Sequence, residues 1–495
     1  MTAPPPVPAP QSPTSPASAT SATSATSATS ATSATSATPA TPATSTTPNA
    51  APRTDDTPPV RVLMSRIAAL AGPTMLLSLL QGGAQLFETW LAARQGTAAL
   101  AGWAVVLPFS LLLNQMSAGA MGGGVVSAIS RALGAGREDE ASALVMHAVA
   151  VATIAGLLFA IALAVFPMPL LGAIAGPAVA REAAWYSIVM FGVGAVPAWL
   201  TNTLASVLRG GGRHALAARV LVVTWVAIPL SAWLFAEPMG FGLVGIGIAF
   251  ALVFWISAIV MALVVIRGGA GFVPTLRIVW SGALFRTILS VGLLACALAT
   301  IANLTTIMVT AQLKSHGTAA VAAYGISARL EFLMIPLAFG VGSALTALVG
   351  RASGAGDWRT ARRTAWTGGL AAFAFTGAIG AAVGLAPVAF ASAFTHDAEV
   401  IAIAARALSW IGPAFGGFGL GMALYFASMG ARRMRWPMLA GVARFTLAVG
   451  GGWLLAHVAG MGLDGYFLAV ALGITAYGAV TAAGVRAGVW NARGG

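Results

Sequence analysis

The chain has 495 residues, of which 58% are apolar and only 8% charged, and it carries a net charge of +13. A water-soluble fold of this size cannot hide so much apolar surface, so the composition excludes one. The basic excess would suit a nucleic-acid partner, but in so apolar a chain its meaning depends on where the arginines fall.

The first 60 residues stand apart. "SATSATSATSATSATSAT" followed by "PATPAT" offers no apolar run and almost no charge. Such a segment cannot bury a core, and residues 1–60 are expected to form a disordered tail, with a glycosylated stalk as the alternative compositional reading. The basic start and apolar stretch of a signal peptide are absent from it.

From residue 66 on, charge-free windows recur, each longer than the ~20 residues that cross a bilayer as a helix. Helices are predicted at 66–93, 98–132, 139–168, 178–208, 214–236, 242–266, 284–313, 318–351, 358–393, 398–428, 434–458 and 464–486. The fold class is an all-α polytopic membrane protein with twelve transmembrane helices. An even number puts both termini on one side. Arg53, Arg61, Arg66, Arg131, Arg137, Arg209, Arg213, Arg267, Arg277, Arg351, Arg432 and Arg493 fall on that side, while the opposite loops hold Arg94, Arg181 and Lys314. The positive-inside rule makes the arginine-rich side cytoplasmic, as in a bacterial inner (plasma) membrane protein. Topology therefore accounts for the basic balance, and no nucleic-acid partner is needed.

The chain repeats itself. "GTAALAG" (96–102) answers "GTAAVAA" (317–323), "SRALGAG" (130–136) answers "GRASGAG" (350–356), and "GLVGIGIAF" (242–250) answers "GLDGYFLAV" (462–470). The offset is 221 residues for the first pair and 220 for the others. Two six-helix lobes follow, an N-lobe over 61–270 and a C-lobe over 271–495. Because six is even, their pseudo-two-fold axis lies along the membrane normal, with a cleft between lobes suited to alternating access. The glycines of "GAG" are read as helix ends and tight turns. Gly119, Gly122, Gly123 and Gly124 are read as small residues for close packing.

Within the first span, Thr74, Ser78, Gln81, Gln85 and Glu88 are spaced 4, 3, 4 and 3, which lines them along one helix stripe. A polar stripe on an apolar span faces protein or water. Glu88 lies eight residues from Gly96, about 12 Å along the helix, too deep for a short side chain to reach the surface cheaply. Its repeat mate is Val309, so the architecture does not demand an acid there. Shielding from water favours the neutral form of a carboxyl group, so Glu88 is the first candidate for ion coupling. A structural ion pair and a surface position are the bland readings. The seventh span carries a weaker stripe of Thr300, Asn303, Thr306 and Thr310.

Glu331 is the second coupling candidate, although a structural ion pair suits it better. Arg329, two residues away, points to another face. Gln81, Gln85, Asn303, Arg329 and Asn202 are the candidate substrate contacts, while Asn114 and Gln115 are read as interhelical glue. Trp90, Trp103, Trp185, Tyr186 and Trp199 are read chiefly as interface anchors, His147 and His457 as packing. Arg444 and Asp464 remain open between a structural pair and no interaction. Cys296 is the single cysteine, and no metal-binding spacing occurs.

"LFETWLAARQGTAALAG", "MSAGAMGGGVVSAISRALGAG", "LASVLRGGG", "GTAAVAAYGISARLEFLMIPLAFGVGSALTALVGRASGAG" and "GLVGIGIAF" together resemble the multidrug and toxic compound extrusion (MATE) family over roughly residues 65 to 488. The resemblance implies two lobes and efflux of organic, chiefly cationic, small molecules driven by a proton or sodium gradient, without a cofactor. Glu88 falls where that family's first-helix carboxylate lies. Two further acids of the sodium-coupled branch have no counterpart, their places falling near Ala302 and Phe418, so proton coupling is expected over sodium. "ARLEFL" looks like another branch, with Arg329 and Glu331.

The alternative is a lipid or glycolipid flippase of the same broader superfamily. Those tend to fourteen spans and a more basic cavity, whereas only Arg329, Arg406 and Arg444 are intramembrane basic candidates here. An enzyme is not expected, because no predicted connection exceeds roughly 20 residues and the acids are scattered. The expected working unit is a monomer in the bilayer. The arginine asymmetry yields one direct expectation. A reporter fused after Gly495 should read cytoplasmic and one inserted near His396 external; the reverse pair of readings would overturn the topology.

Overall fold

The computed structural model describes residues 57–275, 280–487 and 490. The expected tail up to residue 56, together with Arg53, Arg277 and Arg493, lies outside the described residues. Among the described residues, eleven continuous stretches and one bent helix pair are long and apolar enough to cross a bilayer, twelve spans in all. In chain order they are Val60–Arg94, Thr97–Gly134, Glu138–Val165, the pair Pro167–Val193 and Ala195–Gly210 bent by 44°, His214–Ala236, Gly242–Ile266, Gly282–His316, Thr318–Gly354, Trp358–Leu385, Ala398–Gly430, Arg435–Val458 and Leu463–Arg486. Each of the twelve expected spans is present.

The first span begins at Val60, and just before it Thr57 is already held, its hydroxyl accepting a 3.0 Å bond from Arg363 Nη1. Pro73, Pro108, Pro229 and Pro336 lie within spans, where neighbouring helices, side-chain hydroxyls and local adjustments of the helix can satisfy the backbone groups that a proline frees. The second span widens into a π-helical segment at Gln115–Met121. At the equivalent point of the eighth span, 220 residues on, stands Pro336. Both lobes thus loosen the helix at the same level by different means.

Apolar packing divides along the repeat. One core joins Leu91, Leu113, Phe191 and Phe254 of the first six spans and reaches Ile288 of the seventh. A second joins Val309, Tyr324, Phe415 and Phe467, and a third gathers Leu345, Leu424 and Trp490 towards the arginine-rich end. Trp103, Tyr186 and Trp199 are buried in the first half rather than anchored at an interface; only Trp90 and Trp185 of the expected anchors are exposed.

The two halves meet through the repeated "GAG" segments themselves. A Cβ on Gly134 would collide with the backbone carbonyl of Arg351, and one on Gly354 with the carbonyl of Arg131. Residues 134 and 354 are repeat mates, as are 131 and 351, so this is one contact made twice across the pseudo-two-fold axis. The reading of these glycines as helix ends is therefore half of their role. Gly136 and Gly356 do end helices, with φ of +71° and +77°. Ser127 Oγ adds a 2.5 Å bond to the Met429 carbonyl, which ties the second span to the tenth. Gly122, Gly123 and Gly124 are tightly packed as expected, but Gly119 is not: a Cβ there meets nothing within 4 Å.

The repeat extends to the backbone. Arg432 is the one described non-glycine residue with positive φ, at +56°, and its mate is Gly212 at +82°. The C-lobe keeps the turn that glycine makes easily in the N-lobe. Towards the arginine-poor end the second span's Thr97–Asn114 packs within its own half. The lobes are joined at the arginine-rich end and part towards the other.

His147 is more than packing. Its Nδ1 donates to the Ala143 carbonyl at 2.8 Å, and its Nε2 accepts from the Ser281 amide at 3.0 Å. Ser142 and Thr275 add a 2.9 Å hydroxyl pair. These bonds fix the connection between lobes onto the third span.

Because Gly134 and Gly354 leave no room for a side chain, Gly134→Val should force the lobes apart at that end. Overpacking of this kind costs about 1–3 kcal/mol, and every 1.4 kcal/mol is about tenfold in a conformational ratio. Spin labels at positions 137 and 357 should then report a longer distance population than in the parent. An unchanged distribution would place the closing contact elsewhere.

Candidate functional site

The expected stripe of the first span lies on its less exposed face. Leu76, Leu79, Leu86 and Trp90 are exposed, whereas Thr74 and Glu88 are buried and Ser78, Gln81 and Gln85 half-buried. The two hydroxyls turn back on their own helix, Thr74 to the Leu70 carbonyl at 3.5 Å and Ser78 to the Thr74 carbonyl at 3.1 Å. Gln81 and Gln85 have no side-chain hydrogen bond among the described residues. Glu88 is 9% exposed. Among the described residues its carboxylate has neither an ion pair nor a hydrogen bond. Tyr186 of the fourth span is within its electrostatic reach, and its repeat mate Val309 is fully buried in the C-lobe. Both bland readings of Glu88, ion pair and surface position, lack a counterpart in this geometry.

A second polar group gathers where the π-helical segment loosens the second span. Asn202 Nδ2 donates to Ser117 Oγ at 2.8 Å and to Asn114 Oδ1 at 3.5 Å. Asn303 Nδ2 donates to Gln115 Oε1 at 3.4 Å and to the Ala299 carbonyl at 2.8 Å. Asn202 and Asn303 thus belong to one polar band, and the bond between Gln115 and Asn303 crosses between lobes. Thr300, Thr306 and Thr310 bond to carbonyls of their own helix, while Asn303 also bonds across to Gln115. Sequence reasoning did not single out Ser117, because a serine in a small-residue run carries no signal of its own.

Glu331 takes a different environment. It pairs with Arg444 of the eleventh span, both side chains nearly buried. The partner is Arg444 and not Arg329, which is exposed and has no ion pair among the described residues. The Arg444 guanidinium lies 5.6 Å from the Phe418 ring centroid, at one of the places where the resemblance would have put an acid, and Tyr324 and Tyr477 stand within its reach. Asp464 is not the partner of Arg444: it pairs with Arg406 at 2.6 Å at the arginine-poor end. Arg94 likewise pairs with Glu237 at 2.9 Å at that end. Arg209, expected in a cytoplasmic loop, is buried at the end of the fourth span.

The arrangement holds one unpaired, shielded carboxylate in the N-lobe, one neutralised carboxylate in the C-lobe, and an amide-rich band between them. A sequence profile of the MatE family matches residues 73–233 and 293–454, one stretch in each half. The chain belongs to the MatE family. Solved structures agree on the fold. A MOP superfamily transporter from Pyrococcus furiosus superposes with a TM-score of 0.79 at 21% identity, over 86% of this chain and 97% of that one. The outward-facing conformation of a multidrug resistance MATE family transporter gives 0.78 at 22%, over 86% and 97%. The bent form of the Vibrio cholerae MATE transporter VcmN gives 0.79 at 21%, over 87% and 99%. No curated protein gives a significant sequence match. This member of the MatE family is a multi-pass membrane transporter by fold and family.

Removing one partner of a buried ion pair typically costs about 3–5 kcal/mol. Glu331→Gln should therefore lower the thermal unfolding midpoint by stranding Arg444, and Glu331→Leu combined with Arg444→Met should restore much of it. Equal unfolding midpoints for parent and Glu331→Gln would show that the pair is not structural.

Proposed function

We propose that the protein exports organic cations by antiport with a proton, and that Glu88 is the coupling acid. The observation that carries this reading is the contrast between the two intramembrane carboxylates: Glu88 is buried without a partner, while Glu331 is neutralised by Arg444. A charge already paired gains little from a passing cation. An unpaired one changes its interaction with a cation completely on protonation.

The cycle needs only that acid. With the cleft open to the outside, a proton binds the Glu88 carboxylate and removes the charge that held the cation. The cation leaves outward, and the protonated, neutral site passes to the other side as the lobes rock. There the proton is released to the cytoplasm and the restored carboxylate receives the next cation. One proton enters for each monovalent cation that leaves, and the ligand drives the change only through its unequal affinity for the two states. Gln81 and Gln85 extend from Glu88 along the wall, and Asn202 and Asn303 form the amide band below, where they would orient polar parts of a substrate. The arginine-rich end is the cytoplasmic one in this reading, supported by the arginine asymmetry of the loops. Proton rather than sodium coupling is supported by the lone acid and by Ala302 and Phe418, which offer no oxygen ligands to a metal cation.

Glu88→Gln tests the assignment, since it keeps the shape and hydrogen-bonding capacity and mimics the protonated state. In proteoliposomes with an imposed pH gradient, efflux of a fluorescent organic cation should collapse, substrate binding should lose its pH dependence, and the unfolding midpoint should hold. Glu88→Asp should keep part of the activity. Parent-level, gradient-driven efflux by well-folded Glu88→Gln would sink the coupling role and transfer it to Glu331.

A further inference from the structure

We propose that His147 is a pH-sensitive latch on the connection between the lobes: it holds the connection while the cytoplasm is neutral and releases it when the cytoplasm turns acid, which slows transport. The His147 side chain is 1% exposed, and its two partners dictate the state of the ring. A carbonyl only accepts, so Nδ1, 2.8 Å from the Ala143 oxygen, carries the ring's proton. A backbone amide only donates, so Nε2, 3.0 Å from the Ser281 nitrogen, is the bare acceptor. The neutral ring satisfies both. A protonated ring carries N–H on both nitrogens and sets a second donor against the Ser281 amide. The bond from the third span to the connection therefore exists only with the neutral ring, and an ordinary imidazole changes charge between about pH 5 and 8.

The surroundings offer a protonated ring no partner among the described residues. Phe285 and Trp280 meet it edge to face, with centroids 4.7 Å and 5.5 Å away. The second, fourth and seventh spans pack against the third, and the charges they bring on this side are all basic: Arg131, Arg209 and Arg286. On its own span Arg137 pairs with Glu140 at 3.1 Å, while Glu138 and Asp139 are exposed. These acids begin seven residues from His147, about 10 Å along the helix. In the connection Arg267 is exposed, and Arg277 lies outside the described residues. Trp280, which edges the ring, is 58% exposed. A proton thus reaches Nε2 when the connection lifts, and the protonated ring keeps it from settling back.

The latch sits where one lobe is fastened to the other. The connection is tied to the third span by the hydroxyl pair of Ser142 and Thr275 and by His147 with Ser281, and only the second tie titrates. Directly after it the seventh span, the first of the C-lobe, lies against the N-lobe: Ile288 belongs to the N-lobe core, and a Cβ on Gly124 would stand 2.9 Å from the Ile288 carbonyl. Release of Ser281 loosens the start of that span, on which the relative motion of the lobes turns. The repeat mate of His147 is Thr367, buried without a side-chain hydrogen bond among the described residues, so the scaffold itself does not call for a histidine. A latch of this kind would limit the entry of further protons into a cytoplasm that is already acid.

Hydrogen exchange of the full-length protein in lipid nanodiscs tests the latch. Exchange of the Ser281 amide is followed at about pH 7.5 and about pH 5.5. Each rate is divided by that of the same amide in an unfolded peptide at the same pH. Protection in the parent should fall by about threefold or more at the lower pH, the scale of one hydrogen bond. His147→Gln, which keeps a neutral acceptor, should be protected at both values, and His147→Phe, which has none, at neither. The parent response should persist in Glu88→Gln, so the latch stands or falls separately from the coupling acid. In proteoliposomes with a pH gradient of fixed size, acidifying the cytoplasmic face should slow the parent about threefold more than His147→Gln. Equal protection of the parent at both pH values, or the same loss in His147→Gln as in the parent, would overturn the proposal. Equal slowing of parent and His147→Gln efflux would remove the latch from control of transport.

Discussion

The contact on which the rest of the molecule depends is a backbone meeting of two helices. At Gly134 and Gly354 the second and eighth spans approach so closely that each occupies the space of the other's missing side chain. Apolar side chains cannot do this work within a bilayer, where lipid is as apolar as leucine and association must come from close packing and hydrogen bonds. The Ser127 bond to the Met429 carbonyl supplies the second ingredient. Both halves are thus pinned at the arginine-rich end.

A duplicated scaffold gives every position an internal control. Where mates are alike, as at Gly134 and Gly354 or Gly136 and Gly356, the fold is the reason. Where they differ in charge, the fold is not the reason. Glu88 against Val309 and Arg209 against Met429 are such departures, and both charged members lie buried in the N-lobe. The C-lobe carries its own departure in Arg444, whose mate is Thr224, but there the charge is neutralised by Glu331. The two lobes thus share one architecture and distribute charge differently: the C-lobe pairs Arg444 with Glu331, and the N-lobe buries Glu88 and Arg209 with no ion pair among the described residues.

The pairing has energetic consequences. The pairs Arg94 with Glu237 and Arg406 with Asp464 sit at the arginine-poor ends of the spans and are partly exposed, so each contributes at most about 1 kcal/mol. The pair of Glu331 and Arg444 is nearly buried, and its worth lies mainly in the penalty avoided by keeping both partners. A buried carboxyl group without a partner, such as Glu88, meets that penalty only when it ionises. A residue in this condition is sensitive to protonation and to a passing cation, which is the property a coupling site requires.

What the sequence determined by itself was the architecture. Charge-free windows of about 20 residues specify helical spans because a single continuous apolar segment can satisfy its own backbone in lipid only as a helix, and the nearly constant offset of repeated segments specifies two lobes. The polar stripe ending in Glu88 was legible for the same reason, since helical periodicity is a local property. Pairings between distant helices were not legible. Glu331 could have met Arg329, Arg444 or nothing, and Arg444 could have met Asp464. Only the tertiary arrangement set Arg444 of the eleventh span beside Glu331 of the eighth, and only the approach of Gly134 to the Arg351 backbone, and of Gly354 to that of Arg131, turned helix-ending glycines into a lobe contact. Arg209 read as a loop arginine because a residue at a helix end looks exposed in one dimension. The opposite lobe covers it, and Gly119 faces open space instead of a neighbour, because burial depends on what the rest of the chain places alongside, which no local pattern encodes.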